Sequence, residues 1–251
     1  MRSLLPVFPG LVADRAGRAV VVTTVLLALT VPLFLRDGSA YAAGLSDGLS
    51  VGGTQGTTLA ANLVALGMAL AAAWMSDGVV SGLRRDGIAP LVLTRPVPRS
   101  GLFLARWLAG FTALAAVGLT IATTLNGVWR GFDGAGYPLS AAGAIGAAAV
   151  IWTWVGSAVL LFSSALERGE GLAGGLLFVL PISLAAILPP DTVLARVAGW
   201  LPSQTVLTTS RDLLAGRAAQ AHALLAVLIP GCLTLALGVF VACRREWRTT
   251  G

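Results

Sequence analysis

The distribution of apolar residues constrains the fold of this chain more than any other feature of its sequence. A helix that crosses a bilayer needs about 20 mainly apolar residues, and six stretches meet that requirement. Their approximate bounds are 19–35, 58–75, 102–125, 139–166, 171–188 and 223–243. Only 11% of the 251 residues are charged, against about a quarter in an average soluble domain. We therefore predict an all-α polytopic membrane protein in which residues 1–251 form a single transmembrane domain of six spans.

Two of these stretches are expected to be irregular. The fourth, 139–166, is long enough to tilt or to include a break. The fifth contains Pro181, which a membrane helix tolerates where a neighbouring helix covers the carbonyl group that proline leaves without a donor.

The arginine distribution predicts the orientation. All 17 basic residues are arginine, and arginine is enriched in cytoplasmic flanks. With both termini inside, 12 arginines lie on the cytoplasmic side and five lie outside. The five outside are Arg36, Arg130, Arg196, Arg211 and Arg217. The abundance of Ala, Gly and Arg is typical of a high-GC bacterium, so we predict a multi-pass protein of the bacterial plasma membrane with cytoplasmic termini.

Two outer connections differ in character. Residues Arg36 to Thr57 are rich in Gly and Ser, which predicts a flexible surface loop. Residues Pro189 to Gln220 carry an interrupted apolar pattern around Pro202. That pattern favours two short amphipathic or re-entrant helices, and the alternative is a plain extracellular loop.

The second connection, between the second and third stretches, is the most unusual segment. Asp86 is a good N-cap for a helix that begins at Gly87. Two turns from that point place apolar side chains on one face at helical spacing, and these are Ile88, Leu91 and Val92. Pro96 then ends the helix and favours an extended Arg95. The sequence therefore predicts a short helix outside the membrane.

Five arginines accompany this short helix, and they leave two interpretations open. The arginines are Arg84, Arg85, Arg95, Arg99 and Arg106. One interpretation is an interfacial helix whose arginines set the topology and contact anionic lipid. The other is a lever that docks into a cytoplasmic partner.

The connection resembles that of the permease subunit of type-2 ABC exporters. The matching residues are Gly87, Leu91, Leu93, Pro96, Val97 and Arg99, and Arg106 replaces a basic residue frequent early in that family's third span. Two departures from the family pattern are present. The acidic residue usual a few positions before the glycine is replaced by Arg84, with Asp86 directly before Gly87, and Pro90 lies within the segment. The resemblance covers the whole topology, including short re-entrant helices between the fifth and sixth spans.

The resemblance implies an exporter subunit that forms the translocation path and is coupled to a separate ATP-binding ABC subunit. The expected contacts of the coupling helix are Arg84, Arg85, Asp86, Gly87, Ile88, Leu91, Val92, Arg95, Pro96 and Arg99. It also implies a dimer with a second copy or a related permease. The small-residue motifs Gly171-x-x-x-Gly175 and Gly143-x-x-x-Ala147 agree with close helix contact, although such spacing arises often in a chain rich in Ala and Gly.

Other classes lack their chemistry. Without lysine the chain has no P-loop and no Schiff-base nucleophile. The sequence also contains no Cys/His cluster of the kind that binds a metal ion. We expect no enzyme activity, no cofactor and no nucleic-acid partner. A secondary transporter would need buried charges at the membrane midplane, which the six stretches do not contain. The remaining alternative is a non-transporting membrane anchor or scaffold of another complex.

Overall fold

The computed structural model describes residues 8–46, 53–77, 98–130, 139–166, 169–189 and 191–244. Within these ranges the chain is almost entirely helical and contains no β-strand, which confirms the all-α class. Nine α-helices and one π-helical segment follow one another in the described part of the chain. They are α1 (Phe8–Ser46), α2 (Gly53–Ser76), α3 (Arg99–Arg130), α4 (Ala141–Ile151), the π segment (Trp152–Gly156), α5 (Ser157–Ala165), α6 (Glu170–Ile187), α7 (Val193–Trp200), α8 (Ser203–Leu214) and α9 (Ala221–Arg244).

Four helical stretches among the described residues are long and apolar enough to cross a membrane. They are Arg15–Pro32, Arg99–Arg130, Ala141–Ala165 and Ala221–Arg244. The apolar parts of α2 and α6, Ala61–Ser76 and Glu170–Leu184, are shorter. These lengths indicate a membrane protein, and a count of six spans stays a prediction.

The predicted flexible loop between Arg36 and Thr57 is wrong over most of its length. Helix α1 continues to Ser46, and α2 already begins at Gly53. The reason is local, because residues 36–46 contain three alanines and no proline, and alanine has the highest helix propensity. The Gly and Ser content therefore does not stop α1 where its apolar part ends.

The stretch predicted to tilt or break contains the π segment. Helices α4 and α5 continue into one another through it, and π segments of this kind are single-turn irregularities inside helices. Trp152 is fully buried there, with its ring against Gly110 of α3 and Gly156, where no Cβ intervenes. Of the window Ala141–Ala165, 72% is buried, against 17% of the window in α9. This stretch therefore forms the centre of the bundle.

The connection between α6 and α9 forms two short helices, as its interrupted apolar pattern predicts. Helix α7 lies at the surface, with Trp200 83% exposed. Helix α8 instead packs into the bundle, where Val206 and Leu214 are fully buried. The two helices thus differ in burial although only Leu201 and Pro202 lie between them.

Both small-residue motifs contact partners within the chain. A Cβ at Gly171 would lie 3.0 Å from the carbonyl oxygen of Ala73 in α2, and Gly175 lies against the same residue. Gly143 lies directly against the backbone of Leu213 in α8. Glycine lets the backbones approach closely at these points, so the motifs serve the packing of the bundle and offer no argument for a dimer.

Candidate functional site

One end of the bundle collects charged and polar side chains from several helices. The C-terminus of α2 lies there beside the N-terminal part of α1, and Arg15 and Arg18 of α1 reach across to it. Arg15 Nε donates to the carbonyl oxygen of Met75 at 3.2 Å. Arg18 Nη1 donates to the carbonyl oxygens of Trp74 and Asp77 at 2.8 and 3.1 Å.

These bonds follow from helix geometry. The last carbonyl groups of α2 have no helical donors and carry the negative end of the helix dipole. Arg15 and Arg18 are three residues apart, so they lie on the same face of α1. A pair of arginines at this spacing can therefore cap α2 from the neighbouring helix.

The carboxylate of Asp77 connects α2 to a third helix. Its Oδ1 accepts a hydrogen bond of 3.3 Å from the backbone N–H of Gly171, in the first turn of α6. Gly169 precedes this turn with a φ of +79°, in the left-handed region that favours glycine. A carboxylate at a helix N-terminus is stabilised by unpaired N–H groups and the helix dipole, so Asp77 caps α6 from outside its own segment.

A second carboxylate lies buried beside this cap. Glu170, the first residue of α6, is fully buried. Ser163 Oγ, near the C-terminus of α5, donates to its Oε1 at 3.5 Å. The Glu170 side chain thus joins the start of α6 to the end of α5.

The start of α3 lies at the same end of the bundle. Phe103 packs with Leu160 of α5 and Ala242 of α9. One turn earlier, Arg99 Nη1 donates to the carbonyl oxygen of Cys243 at 3.5 Å. Arg106 lies further into α3. Its side chain is half-buried and its Nε is enclosed by the protein, so it is not extended into solvent.

The second connection leaves and re-enters the bundle at this end. Asp77 is its first residue and Arg99 begins the helix that follows it. Asp77 is bonded to α1 and α6, and Arg99 is bonded to α9. Both ends of the connection are therefore attached to helices other than the two that it joins.

Most of the predicted coupling residues lie outside the described part of the chain. Arg99 is described and exposed on the first turn of α3. The others, which remain predictions, are Arg84, Arg85, Asp86, Gly87, Ile88, Leu91, Val92, Arg95 and Pro96.

The sequence predictions missed Glu170 and the capping role of Arg15 and Arg18. Arg15 and Arg18 are among the 12 arginines that predict the orientation, and their spacing of three residues is the signal that places them on one helix face. Glu170 also carries a signal, since acidic residues are enriched in the first turn of a helix. The partners of these side chains depend on which helices are neighbours, and no local pattern gives that.

The cluster is equipped for hydrogen bonding and for stabilising helix termini. In the described ranges, no three His, Cys, Asp or Glu side chains come together as ligands for a metal ion. The arrangement attaches Asp77 to α1 and α6, and Arg99 to α9.

No protein-family model matches the chain, and no curated protein matches it.

Proposed function

We propose that the chain is the permease subunit of an ATP-driven type-2 ABC exporter. In this proposal it has six spans and cytoplasmic termini in a bacterial plasma membrane, and it forms the translocation path with a second copy or a related permease. A separate ATP-binding subunit would dock on the second connection.

The observation that carries the proposal is the attachment of that connection at both ends. At the Asp77 end, Arg18 of α1 donates to the carbonyl oxygens of Trp74 and Asp77. Asp77 Oδ1 in turn accepts from the backbone N–H of Gly171 in α6. At the Arg99 end, a hydrogen bond reaches the C-terminus of α9. A partner that shifts the connection would therefore displace three further helices, which is the property required of a coupling segment.

The arrangement of helix ends supports six spans. The described contacts gather the N-terminal parts of α1, α3 and α6 at one end of the bundle with the C-terminal parts of α2, α5 and α9. Successive membrane segments would then run in alternating directions. The same arrangement would place the second connection and both termini on one side, as the arginine distribution predicts.

Purification of the tagged chain from the cells that naturally express it tests the proposal. We expect a protein with a Walker A motif to co-purify and the complex to hydrolyse ATP. The double variant Ile88→Asp, Leu91→Asp should lose that partner, because burial of such side chains is worth about 1.5–3 kcal/mol each. Reversing the charges of Arg84 and Arg85 should have a smaller effect, since solvated charge pairs contribute little.

A matched control carries two aspartates at the other end of the bundle. Ala218 and Gln220 are exposed between α8 and α9, so Ala218→Asp, Gln220→Asp should leave the complex intact. A partner without a Walker A motif, held equally by all variants, would contradict the proposal and favour the membrane anchor. Retention of the ATPase by the Ile88, Leu91 double variant would favour a lipid-surface helix instead.

A further inference from the structure

A groove of about 370 Å³ runs between α1 and α2 on the outside of the bundle. Its rim is formed by apolar side chains that are about half exposed, including Val25, Leu29, Leu70 and Trp74. The volume lies near the lower end of the range of about 300–1,000 Å³ for small-molecule sites. The groove therefore has the size of a binding site and opens at the outer surface of the bundle.

The apolar lining of the groove favours a hydrocarbon ligand. Leu26 packs directly against Gly67 where the two helices meet. The hydroxyl group of Thr30, which also lines the groove, donates to the carbonyl oxygen of Leu26 at 2.6 Å. Its hydrogen is therefore used within α1, and the remaining wall is almost wholly apolar. The part of a ligand that fills the groove should be an acyl chain.

A cation lies at one end of the groove. The guanidinium carbon of Arg18 is 5.9 Å from the centre of the Trp74 ring. The Arg18 hydrogen bonds to the carbonyl oxygens of Trp74 and Asp77 both leave from Nη1. A guanidinium has five N–H donors, which also include those on Nε and Nη2. Arginine suits bidentate contact with a phosphate, and tryptophan is enriched at headgroup level.

A second groove on the other side of α1 provides a contrast. It measures about 360 Å³ and lies between α1 and α3. Its lining combines small apolar residues with threonines and contains no charged side chain among the described residues. The described lining of the groove between α1 and α2 contains no charged side chain either, but Trp74 in its wall contacts the Arg18 guanidinium.

From these observations we propose that the groove between α1 and α2 binds an anionic phospholipid, with one acyl chain along the groove and the phosphate on Arg18. The negative charge of the headgroup complements Arg18, and the apolar walls accept the chain. The site needs no ATPase partner, so it is independent of the exporter proposal.

Native mass spectrometry of the purified full-length chain in detergent tests the site. Phosphatidylglycerol and phosphatidylcholine with identical acyl chains would be added separately. We expect the chain to retain phosphatidylglycerol more strongly, and Arg18→Gln to lower that retention by about tenfold, the loss expected for a charge-assisted hydrogen bond. Arg18→Lys should keep part of the preference because it keeps the charge.

A second pair of variants tests the groove without touching Arg18. Val25→Phe, Leu70→Phe adds bulk at half-exposed positions and should reduce phosphatidylglycerol binding. Thr24→Phe, Ala116→Phe fills the other groove and should leave that binding unchanged. Equal retention of both lipids by the unsubstituted chain would overturn the proposal. Unaltered phosphatidylglycerol binding in the Val25→Phe, Leu70→Phe variant would also overturn it. If that variant kept lipid binding but no longer formed a dimer, the occupant of the groove would be a second copy of the chain.

Discussion

Ser203 Oγ, at the start of α8, donates a hydrogen bond of 3.1 Å to the carbonyl oxygen of Leu177 in α6. That oxygen would ordinarily accept from the backbone N–H four residues later, but Pro181 stands there and has no N–H. The serine therefore replaces the missing donor from a neighbouring helix. The proline in α6 is thus matched by a specific side chain in the connection that follows.

Replacing Ser203 with alanine should destabilise the protein. The Leu177 carbonyl would then lose its donor, and hydrogen bonds between membrane helices are worth about 0.6–2 kcal/mol. Thermal unfolding in detergent should show the loss. Thr208→Ala is the matched control, because the exposed Thr208 hydroxyl bonds only within α8 in the described structure and its removal should change little.

A double-variant cycle with Pro181 tests the reason for that loss. In a Pro181→Ala background the backbone N–H of residue 181 can bond the Leu177 carbonyl, so Ser203→Ala should then cost much less. Unfolding measurements on the four proteins give the coupling free energy. An equal cost in both backgrounds would show that Ser203 acts through packing and not through this carbonyl.

Pro181 illustrates which features of the fold can be predicted from the sequence and which cannot. The need for a covering group follows from proline chemistry, whereas its source, Ser203, depends on α8 packing into the bundle. The two short helices follow from the apolar pattern around Pro202, yet the burial of α8 and the exposure of α7 do not. Likewise, Asp77 is recognisable at the end of an apolar stretch, but its bond to Gly171 joins residues far apart in sequence.

Two helical glycines should respond in opposite directions to alanine. A Cβ at Gly231 in α9 would lie 2.6 Å from the backbone oxygen of Thr153 in the π segment. Gly231→Ala should therefore push the helices apart and cost about 1–3 kcal/mol. Gly127 in α3 has no atom within 4 Å of such a Cβ, and Gly127→Ala should stabilise the protein by about 0.4–1 kcal/mol. Unfolding in detergent compares the two.

The orientation can be checked with single cysteines. Cys232 and Cys243 would first be replaced by alanine, and cysteine then placed at Ala218 or Ser100, which are exposed at opposite ends of the bundle. In intact cells an impermeant maleimide should label position 218 alone, and permeabilisation should expose position 100. Labelling of position 100 alone in intact cells would reverse the predicted topology.

Removal of the Asp77 carboxylate should separate docking from coupling. Asp77→Asn weakens the charged cap on α6, a contribution of about 0.3–1 kcal/mol, and leaves the proposed docking residues unchanged. We therefore expect the variant to retain its ATPase partner. In the unsubstituted complex, a non-hydrolysable ATP analogue should alter amide hydrogen exchange in the first turn of α6. Asp77→Asn should reduce that response, because the asparagine oxygen can still accept from Gly171 but carries no charge.

Asp191→Asn is the control for that experiment, because Asp191 is exposed and lies at the other end of α6, in the turn before α7. It should bind the ATPase and show the normal nucleotide response in the first turn of α6. If Asp77→Asn gave the same response as the control, the hydrogen bond from Gly171 would be a stabilising contact only. Displacement of the second connection would then have to reach the bundle through Arg18 or Arg99.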